Sequence, residues 1–175
     1  RPKREGLSRG AIVAPECSRP PTLNPHPANF LRRESLPPMN LQTCLQKLKL
    51  IGTLDVANVA ADGSPQVRCI SAFHYEPDAV YFLTSRGKPF ACDLQRDGRI
   101  QAVGRTRFNE MIRLSGTAVA LEGEKGVRIC DLIYEEQPYL ANVYPGDTRG
   151  INVIFAVRDA QIEYFNLGVH PIFRE

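Results

Sequence analysis

The stretch Leu54–Phe90, LDVANVAADGSPQVRCISAFHYEPDAVYFLTSRGKPF, decides the fold of this chain. Two apolar runs flank Asp62 and Gly63, and Asp-Gly is among the strongest short signals for a β-hairpin. A second turn is predicted at Glu76–Ala79, because Pro77 suits the second position of a type I turn. The stretch therefore predicts three consecutive antiparallel strands. They cover about residues 53–60, 66–75 and 79–84.

The segment Thr84–Pro89, near the end of this stretch, combines two hydroxyls, two cations and a glycine. Pro89 suits the first turn of a helix, since its missing N–H would have no partner there. A helix N-terminus with hydroxyls and cations beside it favours a bound phosphate, and Arg68 adds a cation if the strands fold back. The segment is not a Walker A loop and the chain has no GxGxxG, so a polar strand-to-helix connection is the alternative interpretation.

The rest of the chain predicts further strands and helices around this stretch. Asn40 can cap a helix that ends at Gly52, with apolar residues at helical spacing between them. Another helix begins at Pro89, with Phe90 and Leu94, and Cys92 as a further candidate, facing inward. Later strands are predicted at about 100–104 and 111–121, a helix at about 125–137, and a closing hairpin of strands 151–157 and 161–166 across 158–160. Short strands separated by turn residues are typical of a small barrel.

Four pieces of sequence, taken in order, resemble the pyridoxamine 5′-phosphate oxidase-like family of FMN-binding split barrels. They are DGSPQVRCI, YFLTS, the lysine-bearing helix start at Lys88, and IRLSGTAVAL. The similarity extends over about Leu41–Phe165, most of the chain. It implies a mainly β fold, a six-stranded antiparallel split β-barrel of Greek-key type with flanking α-helices. It also implies a homodimer that binds FMN between its subunits.

The resemblance also assigns candidate FMN-binding residues. Residues of the second strand would run beside the flavin, the end of the third strand would contact phosphate and ribityl chain, and a lysine would bind the phosphate. The candidates are Arg68, Cys69, Ile70, Ser71, Leu83, Thr84, Ser85, Lys88 and Arg113. Arg113 would bind the ring edge or a substrate anion. The alternatives are a solvated strand arginine for Arg68, a surface lysine for Lys88, and a cross-strand ion pair for Arg113.

The sequence also departs from the family pattern. Met111 stands where the oxidases have a flavin-contacting glutamine, and the loop around Arg86 is shorter, which leaves the role of that arginine open. The chain has no Trp and lacks the Arg-x-His signature of true pyridoxamine phosphate oxidases. That activity is therefore disfavoured.

Basic charge and proline concentrate at the start of the chain. The formal net charge of the 175 residues is +3, but residues 1–39 carry seven Lys and Arg against three Asp and Glu, and eight of the 14 prolines. Proline blocks helices and sheet ladders, so we predict a flexible leader over 1–39, with a docking arm as the alternative. The predicted split-barrel domain covers 40–175. Its fifteen basic and sixteen acidic residues give no basic surface for nucleic acid.

The cysteines and histidines predict neither a disulfide framework nor a metal site. The cysteines are Cys17, Cys44, Cys69, Cys92 and Cys130. Their number is odd and no CxxC occurs, which favours reduced thiols in a cytoplasmic protein. Cys69 is predicted to be a small core residue. The three histidines have no metal-ligand spacing, and no apolar run approaches the ~18 residues of a membrane span.

Aromatic residues on successive strands suggest a surface for assembly. Phe73, Tyr75, Tyr81 and Phe82 are predicted to leave one apolar face outside the barrel, and such a face usually marks an interface. The alternative is that these rings fill the barrel. His74, between two of them, is predicted to be a partly buried structural histidine, with a proton relay as the alternative.

The functional hypothesis is an FMN-dependent oxidoreductase acting on an unknown small substrate. The flavin would carry the electrons and the protein would bind and orient it, which agrees with the lack of an evident acid–base pair; no catalytic residue is assigned. A non-enzymatic module that holds flavin or haem as a sensor or carrier is the first alternative. A dimeric scaffold without cofactor is the second.

Overall fold

The computed structural model describes residues 39–168 and 173–174. The predicted leader falls almost wholly outside these residues, so its boundary with the domain stays a prediction. The helices are α1 (Leu41–Ile51), α2 (Pro89–Arg96), α3 (Gly123–Glu136) and α4 (Leu140–Val143), followed by a 3-10 segment (Gly146–Ile151). The strands are β1 (Leu54–Val59), β2 (Pro65–Ile70), β3 (Phe73–Glu76), β4 (Ala79–Ser85), β5 (Arg99–Arg105), β6 (Glu110–Leu121), β7 (Asn152–Asn166) and β8 (Phe173–Arg174).

The strands form one antiparallel sheet that curls on itself. Its order is β2-β1-β5-β6-β7-β4-β3, with β8 paired to β7. The two edge strands, β2 and β3, are joined by Ser71 and Ala72 alone, and such a short link spans at most about 11 Å. The edges must therefore approach each other. This confirms the predicted mainly β split barrel with flanking helices.

The turns that the sequence predicts at the start of the barrel are present. Gly63 has φ +83°, and the Asp62 carboxylate accepts a hydrogen bond of 2.9 Å from the Ser64 backbone N–H. The β3–β4 turn brings Glu76 opposite Ala79. The predicted cap of α1 is confirmed as well, because Asn40 Oδ1 accepts from the Thr43 backbone N–H at 2.8 Å.

The inside of the curled sheet holds the main core. Helices α1 and α2 plug it with apolar residues that are almost completely buried, Leu48, Phe90 and Leu94 among them. Cys92 of α2 is exposed, so its predicted inward position is wrong. Helix α3 covers part of the outer face, where Ile129 and Ile133 pack near β4 and β7 in a second core.

Two strand predictions are wrong. The predicted strand 66–75 is two strands, because β2 pairs with β1 whereas β3 pairs with β4 at the opposite edge. The predicted closing hairpin is the single strand β7, which pairs with β6 on both sides of a register shift between Ser115 and Thr117. Residues 158–160 therefore form an irregularity rather than a reversal. Gly116 is required there, since a Cβ would lie 2.7 Å from the Arg158 carbonyl oxygen. The described part has eight strands, including the unpredicted β8, where the resemblance implied six.

The predicted external aromatic face is also wrong. Phe73 and Phe82 are buried inside the curled sheet, and Tyr81 is buried under α3. The Phe82 ring stacks on Phe155, with ring centroids 5.5 Å apart. Large side chains fill the inside of a small curled sheet, and α3 covers the outer face at Tyr81. Phe73, Phe82 and Tyr81 are therefore covered within the chain and give no support for an interface.

In the described part of the chain, Cys69, Cys92 and Cys130 are free thiols, and Cys44 is buried in the core. Within the same residues, no group of three or more His, Cys, Asp or Glu side chains is arranged to hold a metal ion. No helix among them combines the length and apolarity needed to cross a membrane.

Candidate functional site

Arg68 lies on the inner face of β2, directly opposite the buried Val56 of β1. Its guanidinium carbon lies 4.5 Å from the centroid of the Phe90 ring, within the range of a cation–π contact. Its Nε is buried and has no hydrogen-bond partner among the described residues. Buried N–H donors almost always have an acceptor, so the Arg68 Nε calls for one from beyond the described residues.

Helix α2 begins beside this arginine. Lys88 occupies the position before its first residue, Pro89 follows, and the first turn contains no acidic residue. The exposed Lys88 Nζ donates to the Tyr144 phenol oxygen at 3.2 Å. A phenol is neutral, so the ammonium charge stays uncompensated and adds to the positive end of the helix dipole.

Phe90, two residues after Lys88 in the chain, connects Arg68 to β4. Its ring stacks near Phe82 with a centroid separation of 6.0 Å and also lies under the Arg68 guanidinium. The structure thus brings β2, β4 and the start of α2 together. We call the group Arg68, Lys88 and Phe90 the basic corner.

The candidate residues at the end of β4 are buried. Ser85 is opposite Asn152 of β7, and its carbonyl oxygen accepts from the Lys88 backbone N–H at 3.1 Å. That hydrogen bond closes the turn from strand to helix. Thr84 faces the same side as Phe82, since alternate residues of a strand share a face. Leu83 points the other way and packs under α3.

The electrostatics of the basic corner differ from those of the two lysines of α1. Lys47 pairs with Glu110 at 2.8 Å and Lys49 with Glu136 at 2.7 Å. Arg68 and Lys88 have no carboxylate within ion-pair distance among the described residues. The basic corner is therefore suited to an anion.

The remaining candidates on β2 and after it have different surroundings. Cys69 is exposed on the outer face, so its predicted core position is wrong; alternation along β2 turns it away from Arg68. A hydrogen bond to Asp55 at 2.9 Å, together with the charge of that carboxylate, raises the pKa of the Cys69 thiol. Ile70 packs against the inner core, and the Ser71 hydroxyl lies 2.6 Å from the Tyr139 phenol oxygen.

Arg113 is not brought to the basic corner. It lies on the outer face of β6, opposite Val103, in a row that also contains Asp55 and Cys69. Its Nη1 donates to Glu163 Oε2 of β7 at 3.0 Å, and its guanidinium lies 5.2 Å from the Phe165 ring. This is the cross-strand ion pair that the sequence left as the alternative.

His74 is a buried structural residue, as expected. Its Nδ1 lies 3.0 Å from Glu136 Oε2, and Lys49 bonds the other oxygen of that carboxylate. Burial alone would raise the pKa of Glu136, but the hydrogen bonds from Lys49 and His74 outweigh it and lower the pKa. The cluster joins α1, β3 and α3.

Sequence reasoning missed two partners in the basic corner. Phe90 was expected in the core, but not as the ring beneath Arg68, and Tyr144 was not connected with Lys88. Both contacts join residues far apart in sequence, 22 and 56 positions respectively. No local pattern of residue types could have indicated them.

No protein-family model and no curated protein matches the sequence. Solved structures do match its fold. A NimC/NimA family protein from Clostridium acetobutylicum is similar over 77% of this chain and 92% of its own, with a TM-score of 0.62 and 21% identity.

Two other solved structures have the same fold, and their descriptions name different cofactors. One is a pyridoxamine 5′-phosphate oxidase-related, FMN binding protein from Nostoc punctiforme, with a TM-score of 0.51 and 16% identity over 74% of this chain and 82% of its own. The other is the haem storage protein HutZ from Vibrio cholerae, with a TM-score of 0.56 and 14% identity over 71% and 95%. The resemblance deduced from the sequence is thus confirmed at the level of the fold. This chain has the split-barrel fold of the pyridoxamine 5′-phosphate oxidase-like proteins.

Proposed function

We propose that this chain binds FMN and acts as an FMN-dependent oxidoreductase on a small substrate. The observation that supports it is the buried Arg68 Nε, which has no acceptor among the described residues. A phosphate oxygen is a suitable acceptor, because guanidinium groups bind phosphate with strong, charge-assisted hydrogen bonds. The Nostoc protein of the same fold is described as FMN binding.

The residues of the basic corner fit the phosphate end of such a cofactor. Arg68 and Lys88 would hold the phosphate dianion, and the start of α2 would add its dipole. The Phe90 ring would keep the Arg68 guanidinium in place. When bound, FMN supplies the hydride- and electron-transfer chemistry, so the chain itself need only bind, orient and shield the reacting atoms.

The proposal includes a homodimer in which a second copy completes the flavin site. Cavities of about 620 and 470 Å³ lie elsewhere on the described residues, with neither Arg68 nor Lys88 in their lining. Lys88 of the basic corner is exposed in a single chain, so a second copy could cover it. Part of the outer sheet face is also uncovered, with Val67 67% exposed on it. A cytoplasmic location agrees with the free thiols of Cys69, Cys92 and Cys130 in the described part.

The test is the absorption spectrum of the purified protein. Flavin bands, with FMN released on denaturation, are expected. Bleaching on addition of NAD(P)H under anaerobic conditions would support an enzyme, and bound flavin that is not reduced would favour a carrier. A colourless protein that does not take up added FMN would overturn the proposal.

A haem-binding carrier is the second candidate, supported by the fold shared with the haem storage protein of Vibrio cholerae. Its spectrum would show an intense Soret band instead of flavin bands. His74 is a poor candidate axial ligand, because Glu136 occupies its Nδ1 and the side chain is buried. The single spectrum separates the two functions.

A further inference from the structure

The cavity of about 620 Å³ lies outside the basic corner. It is formed by the start of α3, the start of β7 and the 3-10 segment Gly146–Ile151. Its volume falls within the ~300–1,000 Å³ typical of small-molecule sites. Leu121, Val127 and Ile154 give it an apolar wall. The proposed flavin site makes no use of this cavity.

Arg86 provides an available cation at this cavity. It lines the cavity, its side chain is exposed, and no described carboxylate lies within ion-pair distance. Its backbone N–H donates to the Ile151 carbonyl at 2.9 Å, which fixes the loop against the start of β7. The second arginine of the lining, Arg149, is already neutralised by Asp131. Arg86 is therefore the group that can receive a carboxylate.

Asn152 provides an acceptor in the same lining. Its Nδ2 donates to the Tyr134 phenol oxygen at 2.7 Å, whereas its Oδ1 is buried and has no partner among the described residues. A buried acceptor without a donor is costly. A ligand with an N–H group would remove that cost.

The charges of the lining restrict the class of ligand. Besides the two arginines, the cavity carries three carboxylates, Glu122, Asp131 and Asp147. This excess of one negative charge disfavours a polyanion such as a nucleoside triphosphate. It favours a ligand that carries a positive group as well as a negative one.

We propose that this cavity binds a small zwitterion of the amino-acid type. The ligand carboxylate pairs with Arg86, the ammonium group donates to Asn152 Oδ1, and an aliphatic side chain packs on Leu121, Val127 and Ile154. This site is separate from the proposed FMN site and does not depend on it.

The test is isothermal titration calorimetry on the purified full chain with three probes. L-Leucine has both charges, L-leucinamide lacks the carboxylate, and N-acetyl-L-leucine lacks the ammonium group. L-Leucine is expected to bind, and each of the other two to bind about tenfold more weakly, because each loses a charge-assisted hydrogen bond. Arg86→Ala is expected to weaken L-leucine about tenfold and to abolish its advantage over L-leucinamide.

Arg158→Ala is the matched control, since Arg158 is exposed and lies outside the cavity lining. It is expected to leave all three affinities unchanged. No detectable heat with L-leucine, or an equal loss in Arg86→Ala and Arg158→Ala, would overturn the proposal. FMN uptake by Arg86→Ala, measured in parallel, is expected to equal that of the parent protein. A parallel loss of FMN would make the cavity part of the flavin site and contradict a separate site.

Discussion

Arg68 and Arg113 are two strand arginines that the same family resemblance assigned to the flavin, and their surroundings differ. Arg68 faces inward, lies over Phe90 and has a buried Nε for which the described residues offer no acceptor. Arg113 faces outward and pairs with Glu163 at 3.0 Å on the neighbouring strand. Residue type and strand position therefore do not identify an anion site. What distinguishes Arg68 from Arg113 is whether a carboxylate of the fold already neutralises the guanidinium charge.

The same contrast holds between two groups of charged side chains. The cations of the basic corner, Arg68 and Lys88, have no carboxylate within ion-pair distance among the described residues. In the cluster around Glu136, Lys49 and His74 both contact one carboxylate. Compensated charges contribute to the stability of the fold, whereas the uncompensated pair is available to a ligand. The predictions below test this division.

The largest effect is expected for Phe90→Ala, which removes the ring beneath Arg68. Phe90 is 1% exposed and contacts Phe82, so the cavity left behind should cost about 3–5 kcal/mol of unfolding free energy. Chemical denaturation measures it. Phe90→Leu is the control that keeps most of the apolar volume while losing the aromatic face. A Phe90→Ala variant as stable as the parent protein would mean that α2 does not plug the barrel.

Lys88→Ala should lower FMN affinity about tenfold or more, because the phosphate loses a charge-assisted contact worth about 1.5–3 kcal/mol. Flavin fluorescence quenching measures the affinity. Lys125→Ala is a matched control, since each of the two lysines lies over a tyrosine ring: Lys88 is 5.8 Å from the centroid of Tyr144, and Lys125, on α3, is 5.4 Å from that of Tyr81. Equal affinities in the two variants would remove Lys88 from the site.

Acid should weaken the fold through Glu136. Its pKa is lowered in the folded state, so its ionised form stabilises the protein above the ordinary pKa of 4.5, and this contribution is lost as the pH falls through the lowered value. Glu136→Gln should cost about 1 kcal/mol at pH 7 and remove part of the acid dependence. Glu135→Gln, on the exposed neighbour, is the control. Melting curves from pH 7 to about pH 3 check it; identical acid profiles would show that the cluster does not stabilise the fold.

The smallest effect is expected for the ion pair between Arg113 and Glu163 on the outer face of the sheet. The side chains of Arg113 and Glu163 are 40% and 30% exposed, so solvent screens their pair. A double-mutant cycle of Arg113→Ala and Glu163→Ala should give a coupling energy of about 0.2–1 kcal/mol. A much larger coupling would indicate a role beyond a surface ion pair.

The fold was largely predictable, because its signals are local. The Asp-Gly turn, the Asn40 cap and the helix start at Pro89 each depend on neighbouring residues, and the structure contains all three. The wrong strand predictions concern segments whose structure depends on pairing with strands far away in the sequence. Nothing local in residues 66–75 indicates that β2 and β3 belong to opposite edges of the sheet.

The candidate site was predictable as a list of residues but not as an arrangement. The family resemblance assigned Arg68, Cys69 and Arg113 to one site. The alternation of side chains along each strand and the register of strand pairing put Cys69 and Arg113 on the outer face of the sheet. The period of two along a strand determines the face only once the partner strands are known. The contact between Arg68 and Phe90 depends on packing between β2 and α2, which no spacing in the sequence reveals.

The most direct measurement is an FMN titration of the parent protein, Arg68→Ala and Arg113→Ala under one set of conditions, with circular dichroism confirming that all three are folded. Arg68→Ala should bind FMN about tenfold more weakly or worse, since the phosphate loses its buried guanidinium partner. Arg113→Ala should match the parent protein, because Glu163 already compensates that charge. Equal affinities for all three proteins, or a larger loss in Arg113→Ala than in Arg68→Ala, would contradict the assignment of the phosphate to the basic corner.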